Sequence, residues 1–375
     1  MLKHSNEFVR TAVLKICLLP TLMLAGPLAA QSLSFDRVTL AAQIPAKSAQ
    51  LADFNGDGKL DIAAVTGLDG VAVLLQTAGG GYAAPLITPT GGLGSWGMAT
   101  GDFNNDGKLD VAVTNSLTNS VSIMLGNGDG TFRIAGIYGV DLGPTAIVAE
   151  DLNHDGHLDL AVVNGGSGDV TILLGKGDGT FHAGQRIFLG GSPTDAVTGD
   201  FNGDGIPDLA ITNGATFSQV VVILLGNGDG TFDLGQSATV GQEPVSLAVG
   251  HLSQGGGTDL AVANLVSNDV SVLAGIGNGT FQTGATYAAG NGPSSIAVAD
   301  FNFDGKADLA VTNDASGAVS VYLGNGDGTF QAASTFATGG FPTSIAVGDL
   351  YNNGKMDIVT AGPTGIVVLR NATRK

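Results

Sequence analysis

An acidic nonapeptide recurs along this chain. In Asp53-Phe-Asn-Gly-Asp-Gly-Lys-Leu-Asp61, side-chain oxygens stand at positions 1, 3, 5 and 9, with glycine at position 6. This is a donor set for a hard cation: calcium takes ~6–8 oxygens at ~2.3–2.6 Å, and the EF-hand loop uses the same alternation with glycine at its sixth position. Lys59, at position 7, would contribute its backbone carbonyl, and Asp61 would take the part of the EF-hand's distant glutamate. Magnesium fits less well, because it prefers a compact octahedral shell that keeps several waters. Four further copies keep the whole set. They are Asp102, Asn104, Asp106, Lys108 and Asp110; Asp151, Asn153, Asp155, His157 and Asp159; Asp200, Asn202, Asp204, Ile206 and Asp208; and Asp300, Asn302, Asp304, Lys306 and Asp308, the seventh position offering a carbonyl in each. Asp, Asn and Gly also build turns, but a turn does not require three carboxylates to converge, and unpaired like charges in proximity destabilise a loop. Calcium at these five loops is therefore expected. The copy from His251 to Asp259 keeps one carboxylate and is expected to bind no metal. The copy from Asp349 to Asp357 has Tyr351 at position 3 and is at best a weak site.

The loops begin at Asp53, Asp102, Asp151, Asp200, His251, Asp300 and Asp349, in steps of 49 residues except for one of 51. A fixed period of this length marks a repeat architecture. In the third unit four apolar segments, 145–150, 158–163, 170–174 and 181–189, alternate with turn signals. Between the last two lies Gly175-Lys-Gly-Asp-Gly-Thr180, whose glycines supply the positive φ of a tight hairpin. Four short antiparallel strands make one propeller blade; a β-helix of nonapeptides would repeat at a far shorter period. The expected fold is all-β, a seven-bladed β-propeller of four-stranded antiparallel blades. The last unit stops before its hairpin and fourth strand, and Ser34-Phe35 to Ala42 matches the missing strand. The ring should close by pairing the N-terminal strand with the C-terminal three, leaving no free blade edge.

The first strand of each blade should line the central channel. Small residues such as Gly97, Ala99 and Gly101, or Ser295, Ala297 and Ala299, fill one set of alternate positions, and Ile147, Leu247, Ile296 and Ile345 the other. Gln50, Glu150 and Asp195 bring polar groups to the small set. Phe54, Phe103, Phe201 and Phe301 are expected in the core between blades. The hairpin acids Asp129, Asp178, Asp229 and Asp327 read as turn residues, since Asn278 stands in for one of them.

Thirty-three acidic residues against 15 basic ones give a net charge of −18, which opposes nucleic acid and anionic membrane as partners. Residues 1–30 carry Lys3, Arg10 and Lys15, then the apolar run Ile16 to Leu28, then Ala29-Ala30, the order of a secretory signal. The run falls short of the ~20 residues that a spanning helix needs. The mature propeller is thus expected over 31–375, secreted to the cell surface, periplasm or medium, with no membrane insertion, and monomeric. Cys17, the only cysteine, lies inside the signal, so core burial or metal rather than disulfides must hold the mature chain together.

Segments such as Ala297-Val-Ala-Asp-Phe-Asn-Phe-Asp-Gly-Lys-Ala-Asp-Leu-Ala-Val311, followed by Leu323-Gly-Asn-Gly-Asp-Gly-Thr-Phe330, resemble the bacterial FG-GAP/VCBS repeats, the blade unit of integrin α-subunit propellers. The resemblance covers essentially 33–370. It implies a seven-bladed propeller, calcium on the lower face, and ligand or partner contacts on the upper face. Most units lack the literal FG and GAP words and the integrin accessory domains are missing, so the resemblance does not transfer integrin partners.

The expected function is a secreted or cell-surface binding or adhesion module for a protein or glycan, with calcium in a structural part. The loops of the face opposite the calcium sites hold Leu117, Leu142, Phe217, Leu265, Phe341 and Trp96. Alternatives on the same scaffold are a polysaccharide lyase or hydrolase, and a lectin. Against an enzyme, the chain has no GxSxG or HExxH word, and His154, His157, His182 and His251 fall in loops or at a strand start. Glu150 with Asp195 is the one carboxylate pair not assigned to metal that could serve acid–base chemistry. Trp96, Tyr82, Tyr138, Tyr287, Tyr322 and Tyr351 do not recur at one repeat position, so a glycan site in every blade is not expected.

Overall fold

The second strand of each unit is apolar on both faces, a pattern that requires cover from both sides. In the computed structural model, which describes residues 33–40, 44–67 and 69–374, Asp110–Asn115 and Asp159–Asn164 are buried at every position. The signal segment at 1–30 lies outside the described residues.

Blade 3 shows the plan. From the axis outward its antiparallel strands are Pro144–Glu150, Asp159–Asn164, Asp169–Gly175 and Phe181–Phe188. The strand bounds differ by a residue from the sequence reading because Asp159 itself opens the second strand. Among the described residues seven such sheets form the ring. In blade 4 the outer strand is broken into Phe232–Leu234 and Ala238–Thr239, both paired to Val220–Gly226. The seventh blade takes three strands from the C-terminus and its outer strand from Phe35–Thr39, with Phe35 opposite Asn371 and Thr39 opposite Val367.

The core lies between blades rather than inside them. Seven apolar clusters each join two neighbours, as where Phe103, Val121 and Ile123 of blade 2 meet Ile147, Leu160 and Phe181 of blade 3. A phenylalanine in an acidic loop meets one that follows the next blade's hairpin edge to face. The Phe54–Phe132 ring centroids are 5.9 Å apart, Phe103–Phe181 5.6 Å and Phe201–Phe281 5.5 Å. Phe301 finds Phe35 at 6.0 Å, so the N-terminal strand supplies the aromatic that the seventh blade's own missing hairpin would have carried.

Hydrogen bonds reinforce these seams on the lower face. The N–H of Gly130, Gly179, Gly279 and Gly328 in the hairpins donates to the carbonyls of Phe54, Phe103, Phe201 and Leu252 in the preceding blade's loop. The hairpin acids serve their turns, as when Asp129 accepts from the Thr131 N–H at 2.9 Å and hydroxyl at 2.6 Å, with Asn278 doing the same for Thr280.

Candidate functional site

Antiparallel order places every acidic loop, between first and second strands, on the face that also carries the hairpins. The five complete loops share one internal geometry. The position 1 carboxylate accepts from the N–H of the position 6 glycine at 2.7 Å in Gly58, 2.8 Å in Gly107, 3.0 Å in Gly156 and 2.9 Å in Gly205 and Gly305. The position 3 amide oxygen accepts from the position 5 N–H, and the position 5 carboxylate from the position 7 N–H, as in Asn55 to Asp57 to Lys59 at 3.0 Å each. This coil needs φ near +80° at position 6, where Gly58, Gly107, Gly205 and Gly305 all sit, a region open to glycine and closed to most side chains.

Position 9 does something the sequence reading did not anticipate. Asp61 Oδ2 accepts from the Phe54 N–H at 3.0 Å, and Oδ1 from the Gln76 N–H at 2.7 Å at the end of the third strand. The same two bonds recur at Asp110, Asp159, Asp208, Asp259, Asp308 and Asp357, including both decayed loops. These carboxylates are fully buried. Burial, with the position 1 and position 5 acids close by, pushes Asp110 and Asp159 up to about 6 and Asp308 up to about 7, and raises Asp61 and Asp208. The carboxyl groups of a loop therefore do feel one another.

Among the described residues no three acidic or imidazole side chains aim at one common centre. The oxygens are turned onto N–H groups of their own loops, and the position 7 lysine lies over the position 5 acid, Lys59 Nζ at 2.6 Å from Asp57 and Lys108 and Lys306 at 3.9 Å from Asp106 and Asp304. The donor chemistry nevertheless fits calcium. An ionised carboxylate has about four lone-pair sites, so the one or two N–H contacts at each position 1 oxygen leave room for a cation, and in loops 1, 2 and 6 the lysine ammonium already lies beside the position 5 acid.

The two incomplete copies are held by other contacts. In the seventh loop Tyr351 packs on the blade 1 cluster with the Arg370 guanidinium 4.5 Å from its ring centre, and Lys355 Nζ donates to the Thr373 carbonyl at 2.6 Å. The fifth keeps Asp259 and little else, with Ser253 donating its N–H to that carboxylate at 2.7 Å.

The opposite face carries the loops from second to third strands and from each outer strand to the next blade. Leu117 is 76% exposed and Phe217 79%, and Leu142, Leu265 and Phe341 also stand exposed there, together with Leu93 and Val266. The structure locates the one irregular step of the repeat. Between second and third strands blade 4 runs 214–219, where blades 3 and 5 have 165–168 and 265–268, so the two extra residues build an upper-face loop. Phe217 is carried on it at φ +65°, uncommon for an aromatic residue. Ser218 accepts from Glu243, whose carbonyl accepts from Leu265, which sets this loop beside blade 5.

Trp96 is not in a loop. It lies on the inner strand Ser95–Gly101 at the upper mouth of the channel, 45% exposed, with Lys47 Nζ 4.3 Å from its ring centre. The mouth is a cavity of about 330 Å³ lined by the inner strands of all seven blades, including Gln50 and Asp195. Glu150 ends its strand, opposite Asp159 at the lower side, while Asp195 is the third residue of its strand, opposite Thr212. Four residues of strand separate the two levels, roughly 13 Å, too far for the carboxyl pair of a glycosidase.

Asp195 accepts from the N–H groups of Ala196 at 2.9 Å and Leu247 at 3.3 Å, and burial pushes its carboxyl up to about 6. The folded state then holds this proton more tightly than the unfolded chain, so stability falls as pH rises from about 4 through about 6. Serine stands at the same strand position in Ser48, Ser246, Ser295 and Ser344. Asp195→Ser is expected to gain ~1–3 kcal/mol near neutral pH and nothing below pH ~4, read from urea unfolding at the two pH values.

The profile of the FG-GAP-like repeat matches residues 53–113, 103–162, 151–211, 255–311 and 300–360. The chain belongs to the FG-GAP-like repeat family. No curated protein matches this FG-GAP-like chain. Among solved structures it is similar to BBS1N in complex with ARL6DN, at TM-score 0.65 and 13% identity over 92% of this chain and 97% of that one. It is also similar to the WD40 repeats of RRP9, at TM-score 0.61 and 11% identity over 91% and 100%. A catalytically inactive virginiamycin B lyase from Staphylococcus aureus, with quinupristin, superposes at TM-score 0.59 and 13% identity over 90% and 99%. At these identities the likeness shows a shared propeller fold.

Proposed function

We propose that this FG-GAP-like propeller is an exported binding module that engages a protein partner through its upper face, with calcium in the five complete lower loops as a brace. The observation that carries the reading is Phe217. A two-residue insertion in an otherwise regular repeat presents an aromatic ring at φ +65° and 79% exposure. The fold gains nothing from such a residue, whereas aromatic anchors dominate protein interfaces. Leu93, Leu117 and Leu142 on blades 2 and 3, with Leu265 and Val266 beside the Phe217 loop, extend the apolar surface, and several such residues on one face mark an interaction site. The complex of BBS1N with ARL6DN lends support, since a chain of similar fold is found there together with another protein. Export rests on the basic and apolar order of residues 1–30.

In the metal reading, Asp53, Asn55, Asp57 and Asp61, with the Lys59 carbonyl, and their counterparts in loops 2, 3, 4 and 6 would hold the ion. Its contribution would be to neutralise the acids of each loop and, in loops 1, 2 and 4, to fix the position 2 carbonyl that receives the next blade's hairpin N–H.

The rim is tested by Leu117→Ser with Phe217→Ser. Both side chains are exposed, so the melting temperature should stay within a degree or two of the parent. Affinity for the partner, captured from the exported fraction of the native cell and then measured purified, should fall at least ~30-fold, since two anchors at ~1–2 kcal/mol each multiply. Equal affinity of parent and double variant would refute the assignment of this face.

A further inference from the structure

A near-regular repeat supplies its own control: where one blade departs from the other six at the same strand position, the scaffold does not demand the departure. Four such departures meet at the upper channel mouth. At the second inner-strand position the blades carry Lys47, Trp96, Thr145, Thr194, Val245, Ser294 and Thr343, so the lysine and the tryptophan are each singular. At the third position the acid Asp195 stands among Ser48, Gly97, Ala146, Ser246, Ser295 and Ser344. At the fifth, Gln50 is the one long polar side chain among valines and alanines. Gln50 is spent on the wall, donating to the Met98 carbonyl at 2.6 Å and accepting from the Thr100 hydroxyl at 2.9 Å. Trp96 makes no such bond to the wall, and Asp195 meets it only through the N–H groups of Ala196 and Leu247 and the Ser246 side chain, which leaves acceptor capacity on its carboxylate. An indole left 45% exposed forgoes burial, and the carboxylate is held in a half-buried place that disfavours its charge.

From this we infer that the upper mouth of the channel is a carbohydrate-binding site, sized for a mono- or disaccharide, in which Trp96 is the stacking platform and Asp195 receives hydroxyl groups. The cavity of about 330 Å³ is at the small end of the range for ligand sites. Its one cation, Lys47, is drawn over the indole ring, and its one anion, Asp195, lies two blades on from Trp96, so the mouth has no net charge to select an ion. Ser48 and Ser295 add hydroxyls to the upper wall, whereas the Ser294 hydroxyl donates to the Pro342 carbonyl at 2.8 Å. An aromatic face together with a carboxylate and hydroxyls matches a pyranose, which has an apolar C–H face and a hydroxyl edge. The inference is independent of the rim reading, because neither Leu117 nor Phe217 lines the mouth.

Trp96 is the only tryptophan of the chain, so intrinsic fluorescence reports on the mouth alone. The full protein is titrated with methyl glycosides of glucose, galactose, mannose, N-acetylglucosamine and galacturonic acid, and with maltose and cellobiose, with saturation-transfer NMR in parallel. At least one sugar is expected to give a saturable fluorescence change. Asp195→Ser and Trp96→Thr should each weaken that sugar about tenfold or more, read by saturation-transfer NMR in the tryptophan-free variant. Both substitutions install a residue that other blades carry at the same position, so the ring keeps its fold. The Leu117→Ser, Phe217→Ser variant should bind the sugar as the parent does. A panel with no saturable response overturns the inference, and so does a sugar bound equally well by both mouth variants.

Discussion

Stripping divalent ions from the purified protein with excess chelator is expected to lower its melting temperature by ten degrees or more, and added calcium to restore it. A ligand held only by the folded state stabilises it by ~2.7 kcal/mol per site at a hundredfold excess over Kd. Five independent loops would give an upper bound of ~13 kcal/mol. With an unfolding entropy of ~2.1 cal/mol/K per residue over ~340 residues, that bound corresponds to ~18 °C. The size follows from where the loops sit. Each complete loop holds three carboxyl groups that repel one another, and the second residue of the first, second and fourth receives a hairpin N–H of the following blade at 3.3, 2.9 and 2.8 Å. Calcium would relieve the repulsion and stiffen the acceptor side of the blade-to-blade clamp. The same titration with magnesium should recover only part of the shift, because magnesium keeps its waters and demands a tighter shell. A melting curve that does not move in excess chelator, on protein shown by metal analysis to have carried calcium beforehand, would show the ion to be incidental.

The parts of the fold that are local in cause were legible in the sequence. Glycine at position 6 of each loop announces its positive φ, the fully apolar second strands announce cover on both faces, and the hairpin at Gly175 to Thr180 announces its turn. Ring closure was legible too, because Ser34-Phe35 copies the Thr-Phe that follows the other hairpins, and Phe35 meets Phe301 as Phe132 meets Phe54. What escaped was long-range. Glu150 and Asp195 share one channel set, but they stand one and five residues before their loops, and the pairing of Glu150 with Asp159 and of Asp195 with Thr212 turns that offset into a distance. The sequence alone puts Trp96 next to the upper loops, whereas its strand carries it into the channel mouth. The one step of 51 residues signalled an insertion, and the structure assigned it to the loop bearing Phe217. The second bond of the position 9 aspartate, to a residue about sixteen further on, has no local signature. The signal that could have exposed it is the survival of Asp259 in a loop that has lost its other acids.

That survival permits a test in which metal plays no part. In the fifth blade Asp259 accepts from the N–H groups of Leu252 at 2.8 Å, Ser253 at 2.7 Å and Gly275 at 2.9 Å, joining the start of the loop, the second strand and the end of the third. Asp259→Ala strands these donors, two of them in buried bonds. Bonds to an ionised acceptor contribute ~1.5–3 kcal/mol each and a buried donor left unmet costs ~1–3 kcal/mol, so a loss of ~3–5 kcal/mol is expected in urea unfolding. Asp259→Asn keeps one acceptor oxygen but turns an amide N–H₂ toward a donor, and should fall between the alanine variant and the parent. Because this loop has no other carboxylate, the loss should be the same in calcium and in chelator. Asp308→Ala in the complete sixth loop should instead lose more in calcium than in chelator, since there the same carboxylate, a strut by its two N–H bonds, would also be a ligand under the proposed metal reading. An Asp259→Ala protein within ~1 kcal/mol of the parent would mean that the repeated pair of bonds is a by-product of the fold rather than one of its supports. A calcium-dependent loss at Asp259 would mean that the fifth loop binds an ion after all.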